Sequence, residues 1–307
     1  MRVSYCEGYY VELPEGHPFP MRKFPALFEI LTTQGLIGEA DATSVSEASW
    51  HDLALVHTAE YLDSLRRGNL DRQAERKMGL PWSCALVRRS RLAVQGTVNA
   101  SRMALEDGVA ANLAGGTHHA FAGHGEGFCV LNDVAVAIRA LRREGRIERA
   151  LVIDLDVHQG NGTAAICQDD PHTYTFSMHG ERNYTFAKAV STLDVALPDA
   201  TTDEPYLQQL AYHLPQVIAA AAPDLIFFLA GVDPVSGDRY GRLDLSREGI
   251  RERERLVLRS GLDAEVPMVL LLSGGYAETP EATADLHAEV HREYRRICGY
   301  PGFGEGD

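Results

Sequence analysis

The stretch ALVIDLDVHQGNGT, residues 150–163, decides the fold class. It opens as an apolar run of strand length, Ala150–Leu155, and breaks into polar residues and glycine. Runs of similar length recur at Val109–Ala114, Thr173–Ser177, Leu225–Ala230 and Val266–Leu272. Most are continuous rather than alternating, as expected for strands covered on both faces of a parallel sheet. Helical stretches lie between them at Asn132–Arg143, Tyr206–Ala222 and Ser246–Gly261, the last with Ser246 as N-cap, Glu248 in the first turn and Gly261 as a stop. The alternation predicts α/β architecture: a single doubly wound, mainly parallel sheet flanked by helices. One catalytic domain is expected over residues 1–307, with only PGFGEGD, after about residue 300, as a short tail.

Composition narrows the function. The chain has 29 Lys plus Arg against 43 Asp plus Glu, a net charge of −14. That sign argues against a nucleic-acid surface or an anionic membrane as partner, and is compatible with a cationic substrate. No apolar run reaches the roughly 18 residues of a membrane-spanning helix. The opening, MRVSYCEGYYVELPEG, lacks a basic segment followed by an apolar one, so a cytoplasmic chain is expected. Five scattered cysteines form no CxxC pair, which suits free thiols and leaves His and carboxylates as the donors for any metal.

The chemistry collects where the strands end. Val109–Ala114 runs into GGTHHA, with His118 and His119. Ala150–Leu155 delivers Asp154, Asp156, His158 and Asn161; Leu225–Ala230 delivers Asp233 and Asp238; Val266–Leu272 runs into SGGY, with Tyr276. Ligands of open parallel sheets bind beyond the carboxyl ends of the strands, so these residues are expected on one rim. Asp156 and His158, two apart on extended chain, project to the same side and can grip one ion. Asp233 completes a triad, with Asp238 as the fallback ligand, and three protein ligands leave a position open for catalysis. Nitrogen and oxygen donors without sulfur suit Zn2+, with Fe2+, cobalt or manganese as alternatives.

Each part has a bland reading. A lone D-x-H is common, Asp233 alone reads as a turn residue, a His pair as packed loop, Tyr276 as a turn aromatic. The helix face Arg251–Arg259 reads as solvated surface. Four strand ends together outweigh those readings. An ion that polarises a carbonyl, imidazoles that shuttle protons and a phenol that donates to an oxyanion make up metal-assisted hydrolysis of an amide or ester. No phosphate loop and no G-x-S-x-G elbow is present.

The segments GGTHHA (115–120), GFCVLND (127–133), DLDVHQGNGT (154–163), TFSMHG (175–180), AGVDPVSGDRYG (230–241) and SGGY (273–276) resemble the histone deacetylase family, metal-dependent amidohydrolases of arginase-like α/β fold, over roughly residues 15–290. Gln159, Asn161 and the opening HPFPMRKFPAL (17–27) look like its class IV and bacterial branch. The resemblance implies Asp156, His158 and Asp233 as zinc ligands, His119 as general base and acid, His118 as electrostatic helper and Tyr276 as polariser of the scissile carbonyl. It implies Asp154 behind one dyad histidine, and a structural K+ site drawing on Asp154, Asp156, His158 and Ser177. Gly127 and Phe128 are implied as the wall of a tunnel for the lysine side chain.

Two departures from class I follow. Asn161 stands in place of an aspartate behind the second dyad histidine, leaving His119 with less carboxylate support. Thr117 replaces an aromatic residue, leaving room beside the dyad for a longer acyl group. The implied substrate is an acyl-lysine protein or peptide. An acylated polyamine or other small amine is the alternative, and a non-catalytic binding module on the same fold the second. A ureohydrolase is disfavoured, because paired manganese needs more aspartates than DLDVHQGNG offers.

Overall fold

The structure, a computed structural model, describes residues 1–299; the tail expected after about residue 300 lies outside them. Its strands are β1 (Val3–Ser4), β2 (Ala42–Thr43), β3 (Val109–Asn112), β4 (Ala150–Asp154), β5 (Thr173–Gly180), β6 (Leu193–Leu197), β7 (Leu225–Leu229) and β8 (Met268–Leu271). They form one sheet in the order β2-β1-β3-β8-β7-β4-β5-β6, with every pairing parallel. The helices are α1 (Lys23–Thr33), α2 (Trp50–Leu53), α3 (Ala59–Arg67), α4 (Arg72–Met78), α5 (Cys84–Asp107), α6 (Asp133–Arg143), α7 (Asn161–Cys167), α8 (Asp203–Ala221), α9 (Arg247–Asp263) and α10 (Pro280–Ile297).

The apolar runs are continuous because each strand feeds two cores. Leu151, Ile153, Phe176, Ile226, Phe228 and Leu270 point into a core shared with α1, α8, α9 and α10. Their neighbours Ala150, Val152, Leu225, Phe227, Val269 and Leu271 point into a second core with α5 and α6. Period-two alternation therefore sorts residues between two covered faces instead of between core and water. None of the described helices is long and apolar enough to cross a membrane.

Two local expectations are corrected. Gly261 does not end α9, which continues to Asp263. A Cβ at that position would stand 2.3 Å from Met268 Sδ, so the glycine allows close approach of helix to strand. Nor is Arg251–Arg259 a solvated face throughout. Arg253 is fully buried and donates to the carbonyls of Gly231 at 2.7 Å and Leu155 at 3.2 Å. It thus ties together the ends of β4 and β7, the two strands that deliver Asp156 and Asp233. Glu254, buried beside it, is its ion-pair partner.

Candidate active site

The loops after β3, β4, β7 and β8 meet at one rim. Cross-bonds hold them together: Ser273 N donates to Gly115 O at 3.1 Å, Val232 N to Gly274 O at 3.0 Å, and Val157 N to Asp233 Oδ1 at 2.8 Å. Each strand-end segment is thus pinned to its neighbour in the sheet as well as within its own turn.

Asp156, His158 and Asp233 each offer a ligand atom, and these atoms lie within 4.8 Å of one another. His158 Nδ1 stands 3.0 Å from Asp156 Oδ1 and 3.2 Å from Asp233 Oδ2. Asp233 Oδ2 is buried without a hydrogen bond of acceptable geometry. A buried carboxylate oxygen left so exposes a need for a cation. The cradle is tight: a Cβ on Gly274 would fall 2.1 Å from that oxygen and 2.6 Å from Asp156 Oδ2. Burial and the Asp156 charge push the Asp233 carboxyl up. Burial alone would lower the His158 imidazolium, but the Asp156 and Asp233 carboxylates beside it prevail and hold it at about 10. The three residues therefore fit a divalent metal, which supplies the positive charge that they otherwise draw from a proton. Asp238 is not a competing ligand. Its carboxylate accepts the amides of Tyr240 at 2.9 Å, Gly241 at 3.0 Å and Tyr276 at 2.6 Å, and so sets the loop that carries the tyrosine.

The two dyad histidines have different surroundings. His118 Nδ1 meets Asp154 Oδ2 at 2.7 Å. Burial opposes its charge, yet Asp154 and Asp156 raise it to about 9. His119 Nδ1 meets Asn161 Oδ1 at 2.7 Å. Burial, with His118 and His158 nearby, pushes His119 well below the usual imidazole range, which favours the neutral ring. Asn161 in turn donates from Nδ2 to Glu126 Oε1 at 3.0 Å. The carboxylate expected to be missing behind His119 is present one residue further out. Tyr184 OH also donates to Glu126 Oε1, at 2.9 Å, and Lys77 Nζ lies 2.9 Å from Oε2.

An inner chamber beside the triad shares lining residues, Gly127 and Phe128 among them, with an outer cleft. Gly127 forms its wall so close to His119 that a Cβ would lie 2.6 Å from His119 Cδ2, and its φ of 54° is one that side chains rarely adopt. Phe128 and Tyr276 pack at 6.0 Å between ring centroids, and Tyr240 meets Tyr276 edge-on at 4.9 Å. His119, His158 and Tyr276 line both the inner chamber and the outer cleft. His118 lines only the inner chamber. Burial, then the Asp233 and Asp156 charges, hold the Tyr276 phenol well above its usual range, keeping its proton available for donation.

Residues 17–292 match the family model described as the histone deacetylase domain. The chain belongs to the histone deacetylase family. An uncharacterized protein of Picosynechococcus sp. is 44% identical over 297 residues, covering 96% of this chain and 98% of its own length. Histone deacetylase 2 of Arabidopsis thaliana is 34% identical over 289 residues, covering 90% and 75%. Among solved structures, an HDAC homolog complexed with SAHA superposes with TM-score 0.77 at 26% identity, covering 95% of this chain and 84% of that one. The HDA15 HD domain gives 0.76 at 22% identity over 95% and 90%, a likeness of fold.

The histone deacetylase motifs bring together the residues expected of them, but they leave out others that shape the site. Glu126 precedes the quoted GFCVLND by one position, and Tyr184 follows TFSMHG by four. A signal for Tyr184 exists, since β5 ends on the same rim as the other strands. Lys23, inside the opening motif, is buried and donates to Ser273 O at 2.9 Å; burial lowers it to about 8 although Asp233 and Asp156 lie near. Arg89, buried with its guanidinium 4.5 Å from the Phe24 ring centroid, lines the inner chamber. Nothing in its helix sequence marked it. Thr117 lines the same chamber, which offers about 40 Å³, and its hydroxyl turns away to Leu131 O and Asp133.

Proposed function

We propose that this deacetylase-type hydrolase removes acyl groups from the side-chain amine of lysine, with Zn2+ as the resident metal and Fe2+ as the second candidate. The observation that carries the reading is the convergence of the Asp156, His158 and Asp233 donors within 4.8 Å, beside a chamber lined by His119 and Tyr276. A divalent cation on those donors polarises a carbonyl and acidifies water. His119 accepts the proton of the attacking water and returns it to the departing lysine amine. Tyr276 donates a hydrogen bond to the oxygen that gains negative charge. His118, held cationic by Asp154, adds positive potential without leaving the chamber. The aromatic walls of Phe128 and Tyr276 suit an apolar four-carbon stem, which is what a lysine places there.

The dyad, the triad and the tyrosine are all intact, which supports an enzyme over a binding module. Asp154 and Ser177 are register partners on β4 and β5, which supports the K+ site proposed with Asp156 and His158. Ser177 Oγ lies 3.0 Å from His179 Nδ1.

The test is acyl release from an acetyl-lysine peptide by zinc-loaded and iron-loaded protein, with metal content measured in parallel. Asp156→Ala is expected to lose metal and activity. Tyr276→Phe is expected to keep metal and lose activity by about 100-fold or more, the scale of removing an oxyanion donor. Folded, metal-bearing wild type that releases no acyl group from lysine overturns the proposal.

A further inference from the structure

The outer cleft, about 510 Å³, is lined by five cations and no carboxylate: Arg76 and Lys77 from the last turn of α4, Arg182 from the loop after β5, and Arg239 and Arg242 from the loop after β7. The chain as a whole has 43 acidic residues against 29 basic ones, so the local charge runs opposite to the global one. Two anions behind the rim serve three of the cations: Glu126 pairs with Lys77 at 2.9 Å, and Asp199 lies 3.4 Å from Arg242 and 3.9 Å from Arg182. Among the described residues, Arg76 and Arg239 have no ion-pair partner. Glu15 and Glu278 line a neighbouring groove that shares Arg239 and Tyr276 with the cleft, and neither lies within ion-pair distance of Arg239.

The site's depth determines which part of a substrate meets these charges. The acyl carbonyl belongs at the metal ligands, and the stem passes Gly127 and Phe128. Whatever is attached to the far end of the stem therefore emerges among the cations. Beside them Phe186, 95% exposed, and Tyr240 offer apolar surface at the same mouth. Charged clefts of one sign concentrate ligands of the other.

Resting on the deacylase reading, we propose that the mouth is a subsite for carboxylates flanking the acyl-lysine, so that the substrate is an acidic polypeptide segment and not an acylated polyamine. The arginines pair with Asp or Glu side chains, and Phe186 and Tyr240 pack against the intervening backbone. An acylated spermidine would carry its remaining ammonium groups into the same five cations. The net negative charge of the chain, which by itself suits a cationic substrate, is thereby overruled at the one place where substrate enters.

The experiment compares acetyl-lysine peptides of equal length flanked by Glu and Asp, by Ala, or by Lys and Arg, together with acetylspermidine. Binding is read by fluorescence anisotropy of labelled peptides on the metal-loaded protein, and turnover by acetate release. The acidic peptide is expected to bind at least ten-fold more tightly than the basic one at low salt. The gap should narrow at high salt, as exposed charges are screened. Arg76→Glu with Arg239→Glu is expected to erase or invert the preference, in binding and in KM. Equal binding of acidic and basic peptides, or acetylspermidine turned over with higher kcat/KM than the acidic peptide, overturns the proposal. Charge-dependent binding with no turnover of any acetyl-lysine peptide overturns the deacylase reading instead, so the two failures are separable.

Discussion

The amide of Asn161 is bonded at both ends: its oxygen faces His119 Nδ1 at 2.7 Å, and its nitrogen donates to Glu126 at 3.0 Å. An amide fixes the imidazole tautomer but carries no charge, whereas a carboxylate behind it polarises the amide and favours imidazolium at one remove. Burial keeps His119 low, while the Asn161 hydrogen bond and the Asp156 charge work against it; Glu126 reaches the ring only through Asn161. Glu126→Gln removes that support, so the His119 pKa falls and the acidic limb of kcat/KM shifts to lower pH. The loss in kcat/KM is about five-fold, on the order of 1 kcal/mol for one relayed hydrogen bond. Asn161→Asp puts the charge directly on His119 and moves the same limb upward. It also sets two carboxylates against each other, so the protein loses stability, and adding Glu126→Gln restores it. Profiles of the two single variants and the double variant, with urea melts of each, test the relay. An unmoved acidic limb in both single variants shows that Glu126 does not act through Asn161.

His57 makes the protein sensitive to acid at a distance from the metal. It is buried, with Nδ1 3.1 Å from Phe121 O and Nε2 accepting Asn132 N at 3.0 Å. Those partners need a neutral ring, since an imidazolium would set one N–H against another. Burial lowers its pKa from 6.5 to about 4. The folded pKa is below the unfolded one, so this stability is complete above pH 6.5 and lost as pH falls through 4. Linkage caps the loss at about 3 kcal/mol for the one residue. Buried His179 at about 4 and His291 at about 3 act in the same direction. Urea midpoints measured from pH 7 to pH 4 should fall more steeply for wild type than for His57→Gln, whose amide can donate and accept without titrating. Parallel curves would remove His57 from the account.

The sequence made the central strands and the candidate metal ligands readable for one reason. Two-sided burial writes itself as continuous apolar runs, and the rim rule then says where to look for Asp156, His158, Asp233 and Tyr276. The outer strands escaped because β1 and β2 have two residues each, too few for any period. β6, LDVAL, carries a charged residue and is only partly buried. The long helix α5 went unread because its buried positions are largely small or polar: Ser90, Ala93, Gly96, Thr97, Ala100 and Ser101. Glu126 and the rim arginines lie between strand ends, on loops whose spatial neighbours no spacing rule reveals. Arg253 looked like surface because its helix is rich in charge. Only the packing of α9 beneath β4 and β7 shows otherwise.

The chamber beside Thr117 is small, and on the deacylase reading it should limit acyl length. Its roughly 40 Å³ holds about three waters by the usual measure of about 10–15 Å³ each, room for a short acyl group. Arg89 and Phe24 line the same chamber as Thr117. Across a panel from acetyl to octanoyl on one peptide, kcat/KM is expected to fall by about ten-fold or more once the acyl chain outgrows the chamber, the discrimination available to a hydrophobic pocket that must deform. Octanoyl turnover equal to acetyl would show that the chamber opens toward Phe24 and Arg89, and Arg89→Ala would then raise the long-chain rate further.

Arg253 joins the candidate metal site to the core, and its removal should show in both. The guanidinium has no access to water, pairs with Glu254, and supplies donors to the carbonyls at the ends of β4 and β7. Arg253→Met leaves a buried carboxylate and two carbonyls without donors. Breaking one partner of such a pair costs about 3–5 kcal/mol. At about 2–4 °C per kcal/mol for a chain of this size class, the melting temperature should drop by roughly 10 °C. Because Leu155 precedes Asp156 directly and Gly231 lies two residues before Asp233, zinc affinity should weaken as well. A second change, Glu254→Gln in the Arg253→Met background, removes the stranded charge. If the carboxylate carries most of the cost, the double variant recovers thermal stability but not zinc affinity, since the two carbonyls remain loose. Recovery of both together would mean that Arg253 acts only by neutralising Glu254 and does not position the ligand loops.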